Sequence, residues 1–509
     1  MMPPQLDLEV VREQVESLVR PGRVPSGAGG WLRIGKDLAH SPALMKAATG
    51  SVAAGAGRVL LSVNQEGGRL SALDWPEAVQ LPGAAALGAA GSPELAEQAG
   101  AAIGGQLRAV GLTWNLAPVC DLATVVNSAV SGRAFSDQPA VAARLAAAFV
   151  RGLQGAGVAG TAKHFPGLGG AAADPHLQTP VLDRLLRGAL APFEAAVEAG
   201  VASVMVGSHI VRDLDTVPAL ASAQVVGLLR DRIGFEGVIV SENLSIPAVC
   251  NPLGGLATAA LAAVTAGVDM VMLDSEISRG HHGAVPGTGA RRRSAVVDAL
   301  IDAVLGGRLD PAQVARSAAR IAAMEGQFGL APAAVLPAWG QANETAEQVA
   351  EAIAAAAVRV PCGGHLLPLD LHGRSVALLR VPDAGERKAD SARHAPDLLP
   401  SLVGEHFPVG SLPLGGRIPA DAGAAVVYGY DTGRGPDGFS LAAACATGLA
   451  GRGVPVVQIA LGDADELTGS RADVLIAAWS PHRATAAAVA SLLTGRTAAP
   501  VLPAERSRP

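Results

Sequence analysis

The sequence is poor in aromatic residues and in cysteine. Phe, Trp and Tyr make up 3% of its 509 residues. The four cysteines (Cys120, Cys250, Cys362 and Cys445) form no CxxC pair and have no histidine at ligand spacing. Neither a zinc site nor a disulfide framework can be read from this pattern. We therefore predict no bound metal and interpret the cysteines as buried thiols.

Charged residues and long apolar runs are also scarce. Only 17% of residues are charged, and 39 basic against 45 acidic residues give a net charge of −6. The one basic run is Arg291–Arg293, so we expect no nucleic-acid partner. No stretch of about 18 apolar residues lacks charges or Gly-rich breaks, and no apolar signal region follows the N-terminus. These patterns predict no membrane partner and a cytoplasmic location.

Half of the residues are apolar, which is enough to bury large cores. As far as residue 330, short apolar runs alternate with Ala-rich helical stretches at a spacing of roughly 30 to 50 residues, and a fainter run begins at Trp31. This repeat predicts a (β/α)₈ TIM-type barrel over residues 1–330. Asp310 and Pro311 predict the start of a late barrel helix. The strand-like runs lie at 58–63, 111–119, 157–165, 201–210, 235–243 and 267–273.

The remainder of the chain predicts a second, smaller domain. Residues 331–343 are Pro-rich and lack periodicity, so we interpret them as a linker. A helix is expected from Glu344, at the start of an α/β sandwich domain over 344–509. Its strand-like runs lie at 375–381, 424–430, 455–463 and 473–479.

Polar residues follow most of the predicted barrel strands. Reacting groups of a (β/α)₈ barrel lie at the carboxyl ends of its strands, where they meet on one face. Five polar strand ends on that face predict a polar pocket. They comprise 64–69, Asn115 with Asp121, 163–167, Ser208 with His209, and 241–243.

The order and spacing of these motifs resemble glycoside hydrolase family 3, most closely its β-N-acetylglucosaminidase branch. The resemblance runs from about residue 30 to 330 and continues more weakly through the second domain. It implies retaining hydrolysis of a β-glycoside without a cofactor. The motifs are NQEGGRL, NLAPVCDL, SGRAF, KHFPGLGG, DPH, VMVGSHI, GFEGVIVSENLS and AGVDMVML.

The resemblance implies a catalytic set of three residues. Glu242 stands at the position of the family's nucleophile, which is an aspartate, and the side chain here is one methylene longer. His176 matches the proton donor, and Asp174, two residues earlier, would orient it. Retaining hydrolysis needs such a nucleophile and a donor that later serves as base.

The resemblance also implies a sugar-binding set. Lys163, His164 and Arg133 match sugar contacts of the family, and His209 matches a histidine at the edge of the pocket. Asn64 stands where the family has a sugar-binding aspartate. Ala72 stands where the pattern usually has a second arginine.

The resemblance implies an exo-acting, retaining β-glycoside hydrolase whose substrate is a small carbohydrate, a terminal β-N-acetylglucosamine if the sugar follows the family branch. Two alternatives stay open at this point. The departures at Asn64, Ala72 and Glu242 suit a catalytically inactive sugar-binding protein on the same fold. A histidine donor suits a β-glycoside phosphorylase, because it does not repel a phosphate anion as a carboxylate would.

Overall fold

The protein is described by a computed structural model with side chains. The described residues are 7–20, 32–33, 41–56, 58–75, 77–125, 130–171, 178–273, 288–383, 397–430, 432 and 440–495.

Among the described residues, eight short parallel strands form the barrel of the first domain. One run of hydrogen-bonded strands has the order β2-β3-β4 and another the order β5-β7-β9-β10-β1. Parallel bridges from Trp114 to Ala159 and from Val119 to Lys163 join β4 to the β5 side. Because the first strand pairs with the last, the order is that of a closed barrel. The strands are β1 (Val19–Arg20), β2 (Leu32–Arg33), β3 (Leu61–Val63), β4 (Trp114–Asn115), β5 (Thr161–Phe165), β7 (Ser203–Val206), β9 (Val238–Asn243) and β10 (Met270–Met272).

Helices surround these strands, and their ends follow the local sequence. Asp310 caps α11 by accepting a hydrogen bond from Ala312 N at 2.9 Å, with Pro311 in the first turn, as predicted. A two-stranded ribbon, β6 (Val181–Leu182) with β8 (Ile210–Val211), lies outside the barrel order. The helices are α1 (Leu8–Leu18), α2 (Pro42–Ala56), α3 (Ala84–Ala90), α4 (Pro93–Ala109), α5 (Pro139–Gly155), α6 (Ala191–Glu198), α7 (Ala223–Gly227), α8 (Pro247–Cys250), α9 (Leu256–Ala266), α10 (Thr288–Leu305) and α11 (Pro311–Phe328).

The barrel interior is filled by side chains, and its buried tryptophan is hydrogen-bonded. Trp114 is fully buried and donates from Nε1 to Thr161 Oγ1 at 2.7 Å and to Ser203 Oγ at 3.1 Å. Within the described ranges, no single helix is long and apolar enough to cross a membrane. Pro247–Leu253 and Leu256–Ala266 reach that length only together, across a 77° bend, and α9 packs into the barrel core.

The second domain is a parallel sheet covered by helices on both faces. Its strand order is β11-β16-β15-β14-β12-β13, and only β11 is antiparallel to its neighbour. Alternate residues of β12 enter different cores, Val376 and Leu378 on one face and Ala377 and Leu379 on the other. The strands are β11 (Arg359–Cys362), β12 (Ser375–Arg380), β13 (Val409–Ser411), β14 (Ala422–Gly429), β15 (Val456–Ala460) and β16 (Val474–Ala477). The helices are α12 (Trp339–Ala357), α13 (Leu399–Gly404), α14 (Leu441–Leu449) and α15 (Arg483–Thr494).

Helix α12 begins at Trp339 rather than at Glu344, so the proposed linker contains its first residues. Contacts with the barrel explain the earlier start. The ring of Trp339 packs against that of Trp75 with centroids 5.6 Å apart. Asn343 Oδ1 accepts hydrogen bonds from Val79 N at 2.8 Å and from Gln106 Nε2 at 3.0 Å.

Candidate active site

Four barrel strands place the candidate residues at one end of the barrel, which we call the barrel mouth. Asn64 follows β3, and Lys163 and His164 lie near the carboxyl end of β5. Ser208 and His209 follow β7, and Glu242 lies near the end of β9. Since these strands are parallel, their carboxyl ends meet on the same face.

Glu66 lies between two cations of the barrel mouth. Lys163 Nζ lies 2.6 Å from Glu66 Oε1 and donates to Asn64 Oδ1 at 3.0 Å. Arg133 binds the same carboxylate through both oxygens, with Nε and Nη2 each at 2.8 Å. Burial raises the pKa of Glu66, but Arg133 and Lys163 outweigh it and lower that pKa to about 2. Glu66 is therefore a permanent carboxylate that holds Arg133 and Lys163 in place.

The His164 ring is oriented by a buried carboxylate. His164 Nδ1 lies 2.8 Å from Asp121 Oδ2, and Asp121 Oδ1 accepts a hydrogen bond from Leu168 N at 2.7 Å. Burial raises the pKa of Asp121, but the neighbouring His164 imidazole outweighs it, and the pKa lies below its ordinary value. Asp121 thus fixes the plane of the ring at the end of β5.

Glu242 is held by Ser208, which follows the neighbouring strand β7. Glu242 Oε2 accepts hydrogen bonds from Ser208 N at 2.8 Å and from Ser208 Oγ at 2.6 Å. The side chain is 8% exposed at the barrel mouth. Two donors on one oxygen stabilise a negative charge and limit rotation of the carboxylate. The next residue, Asn243, accepts a hydrogen bond from Ser245 N at 3.0 Å within the turn that follows.

His209 is a neutral, buried ring beside these groups. Within the described part of the chain, neither ring nitrogen has a hydrogen-bond partner, although the Gly167 backbone lies close enough to interact. Burial lowers the pKa of His209 to about 4, and the opposing effects of Asp121 and Glu242 do not offset it. The imidazole is therefore uncharged near neutral pH.

The structure brings Asn64, Arg133 and Lys163 together around Glu66, with the pairs Glu242–Ser208 and His164–Asp121 on the same face. Asp174 and His176 lie outside the described residues. Among the described residues, no group of three or more His, Cys, Asp and Glu is arranged to hold a metal.

Sequence reasoning found strand-end residues but not their partners. The sequence predicts Ser208 and Asp121 as polar strand ends but indicates no role for either residue. Their positions in the sequence could have revealed them as partners of the site. Ser208 directly precedes His209, and Asp121 directly follows the NLAPVC motif. Two further residues beside the barrel mouth, Arg69 of the first domain and Asp463 of the second, form an ion pair between the domains.

Comparisons with known proteins agree with a glycosidase barrel. Residues 13–324 match the sequence profile of the glycosyl hydrolase family 3 N terminal domain. A beta-hexosaminidase of Thioalkalivibrio sulfidiphilus is 37% identical over 300 residues, which cover 57% of this chain and 78% of the relative. A beta-hexosaminidase of Pseudomonas aeruginosa is 38% identical over 251 residues, 48% of this chain and 74% of the relative.

The solved structures include a glycoside hydrolase family 3 β-N-acetylglucosaminidase from Paenibacillus sp. str. FPU-7. It aligns with a TM-score of 0.81 at 26% identity and covers 96% of this chain and 97% of its own. Fold and profile together define a glycoside hydrolase with a (β/α)₈ barrel and an α/β sandwich domain. The chain belongs to glycoside hydrolase family 3, which confirms the family and fold class predicted from the sequence.

Proposed function

We propose that the protein is an exo-acting, retaining β-N-acetylglucosaminidase that removes a terminal sugar from a small carbohydrate. The observation that carries this proposal is Glu242, a carboxylate fixed by Ser208 at the barrel mouth on the strand that bears the family's nucleophile. The names of the beta-hexosaminidase relatives and of the Paenibacillus structure support the choice of sugar.

Hydrolysis would proceed in two displacements. A Glu242 carboxylate oxygen attacks the anomeric carbon, and the bond from that carbon to the leaving oxygen breaks as His176 donates a proton to that oxygen. His176, oriented by Asp174, then removes a proton from water, which attacks the same carbon and releases Glu242. Two inversions leave the product in the β configuration.

The remaining candidates would bind and orient the sugar ring. Lys163 and Arg133 bind Glu66, and charged donors of this kind form strong hydrogen bonds with hydroxyl and acetamido groups. Asn64, which accepts a hydrogen bond from Lys163, would add a neutral amide contact. His164, fixed by Asp121, would provide a further ring contact, and His209 would form part of the pocket wall. The interpretation of all four cysteines as buried thiols holds for Cys120 and Cys250 but is wrong for Cys362, which is exposed, and for Cys445, which is half-buried. We also propose a cytoplasmic location, supported by the free and exposed thiol of Cys362.

The test is the anomeric configuration of the first product. An activated aryl β-N-acetylglucosaminide is hydrolysed while proton NMR follows the anomeric signals before mutarotation. We expect β-N-acetylglucosamine first. Glu242→Gln should abolish turnover yet keep the thermal stabilisation caused by the sugar, because the amide is isosteric but not nucleophilic. Glu242→Asp should lose about 100-fold in rate, since shortening moves the carboxylate by about 1 Å.

Other outcomes would overturn the proposal. Sugar-dependent stabilisation without hydrolysis, in both the wild type and Glu242→Asp, would identify an inactive sugar-binding protein. A requirement for phosphate, with a sugar 1-phosphate as product, would identify a phosphorylase. Higher activity in Glu242→Asp than in the wild type would show that the site is not built around a glutamate.

A further inference from the structure

The carboxyl edge of the second domain's sheet faces the barrel mouth. Three successive parallel strands, β14, β15 and β16, lead into Tyr430, Asp463 and His482, respectively. Each of these residues contacts the barrel. In α/β sheets this edge is the usual place for ligand binding. Here it is occupied by loops of the first domain.

The contacts converge on two barrel loops. Asp463 Oδ2 lies 3.5 Å from Arg69 Nη2 and accepts a short hydrogen bond from Ser131 Oγ. The Arg69 guanidinium lies over the ring of Tyr430, with its Cζ atom 5.1 Å from the ring centroid. His482 Nε2 lies 3.1 Å from the Gly68 carbonyl oxygen. We call Arg69, Ser131, Tyr430 and Asp463 the interdomain cluster.

The same two loops carry the sugar-pocket residues. Glu66 precedes Arg69 by three residues, within a turn whose Gly67 and Gly68 have positive φ angles of 77° and 57°. Arg133 follows Ser131 by two residues. Glu66 and Arg133 bind each other through two hydrogen bonds of 2.8 Å. The interdomain cluster therefore holds both ends of the Glu66–Arg133 pair.

The packing around Arg69 is tight. A Cβ atom at Gly132 would lie 2.3 Å from Arg69 Nε, so only glycine fits where this side chain crosses the loop. Arg69 is 6% exposed and the Asp463 side chain 14%. A buried guanidinium needs a nearby negative charge. Loss of the Asp463 carboxylate would remove one of the contacts that hold Arg69 and would loosen the loop that carries Glu66.

We propose that Asp463 is a positioning residue for the sugar pocket, through which the second domain sets the geometry of Glu66 and Arg133. The proposal rests on the proposed function for its ligand. It assigns to the second domain a part in substrate binding without contact with the sugar. Asp463 acts through Arg69 on one loop and through Ser131 on the other.

The test compares Asp463→Ala with Asp370→Ala in the full-length chain. Asp370 is an exposed carboxylate of the same domain, with 76% of its side chain exposed, and serves as the matched control. Two measurements are made below the unfolding temperature. One is the dissociation constant of N-acetylglucosamine by calorimetry. The other is amide hydrogen exchange in residues 64–70 and 130–135.

We expect Asp463→Ala to weaken sugar binding by about tenfold or more and to increase exchange in both loops, because displaced pocket residues bind poorly. Asp370→Ala should match the wild type in both measurements. Asp463→Asn keeps an acceptor for Ser131 and removes the charge that faces Arg69. Its sugar affinity and its loop exchange should therefore lie between those of Asp463→Ala and those of the wild type. Asp463→Asn also keeps the test valid if the alanine variant does not fold.

Unchanged sugar affinity and unchanged exchange in both Asp463 variants would overturn the proposal. An equal increase of amide exchange across the whole chain would also overturn it, because that result indicates general destabilisation. If the wild type binds no N-acetylglucosamine, the proposed function fails separately. The exchange of the two loops then still decides whether Asp463 positions them.

Discussion

The charged side chains at the barrel mouth are buried, and nearby charges decide their protonation. Glu66 keeps a pKa of about 2 despite burial because Arg133 and Lys163 lie within hydrogen-bond distance. His209 has no such compensation, and burial lowers its pKa to about 4. The two residues therefore respond to pH in different ranges.

His209 predicts a loss of stability in mild acid. Its pKa is about 4 in the folded protein against 6.5 for an exposed histidine, so the unfolded chain binds the proton more readily. The contribution of the neutral His209 ring to the free energy of unfolding is complete above pH 6.5, and it is lost as the pH falls toward 4. We expect the wild type to lose roughly 2 to 3 kcal/mol over that range relative to His209→Asn.

The measurement is urea unfolding of both proteins at a series of pH values. Glu66 and Asp121 also have lowered pKa values, but their ordinary values of 4.5 and 3.8 place their effects at lower pH. Parallel stability curves for wild type and His209→Asn between pH 6.5 and about 5 would contradict the burial of a neutral ring.

Which residues lie at the barrel mouth could be predicted, but their pairing could not. The polar ends of strands located Asn64, Lys163 and Glu242, because a barrel gathers its strand ends on one face. Lys163 pairs with Glu66, and the order of the strand ends along the sequence does not reveal that pair. Side-chain pairing depends on rotamers and on packing between strands, which no sequence spacing specifies.

At the scale of elements, the barrel strands are much shorter than the apolar runs that revealed them. The run at 111–119 contains a strand of only two residues, Trp114–Asn115, and the run at 201–210 contains Ser203–Val206. Apolar composition marks burial, and the residues flanking a strand are buried too, so burial overestimates strand length. The two-residue strand at Val19–Arg20 gave too little pattern to predict.

One buried carboxylate joins several of these elements. Asp269, directly before β10, accepts hydrogen bonds from Ile239 N at 2.8 Å and Ser317 Oγ at 2.7 Å. It also binds Arg230 through a short contact and Arg320 at 3.1 Å. Asp269 is fully buried, so it connects the β9–β10 pair to α11 and to the segment after α7.

Asp269→Asn should strongly destabilise the barrel, because it leaves two largely buried guanidinium groups without their carboxylate. Removal of one partner from a buried ion pair typically costs about 3 to 5 kcal/mol. The control is Asp183→Asn, which breaks the exposed pair of Asp183 with Arg212 and should change stability little. Thermal unfolding compares the two variants. Equal midpoints would show that Asp269 is not a structural anchor.

In the molecule as a whole, the two domains meet beside the barrel mouth. Ser131 and Asp463 bind each other across 332 positions of sequence, a separation that no local pattern encodes. The sequence predicted both domains because each has its own periodic strands and helices. It left open their contact at the barrel mouth, because that contact depends on how two finished domains pack together.

If Glu242 is the nucleophile, hydrolysis passes through a covalent bond between Glu242 and the sugar, and that bond can be trapped. A fluorinated β-N-acetylglucosaminyl fluoride, whose second step is slow, is incubated with the full-length protein, which is then digested and mapped by mass spectrometry. We expect one sugar attached to Glu242 in the wild type and none in the Glu242→Gln variant. A sugar attached to any other carboxylate, or turnover of the probe without an adduct, would contradict it.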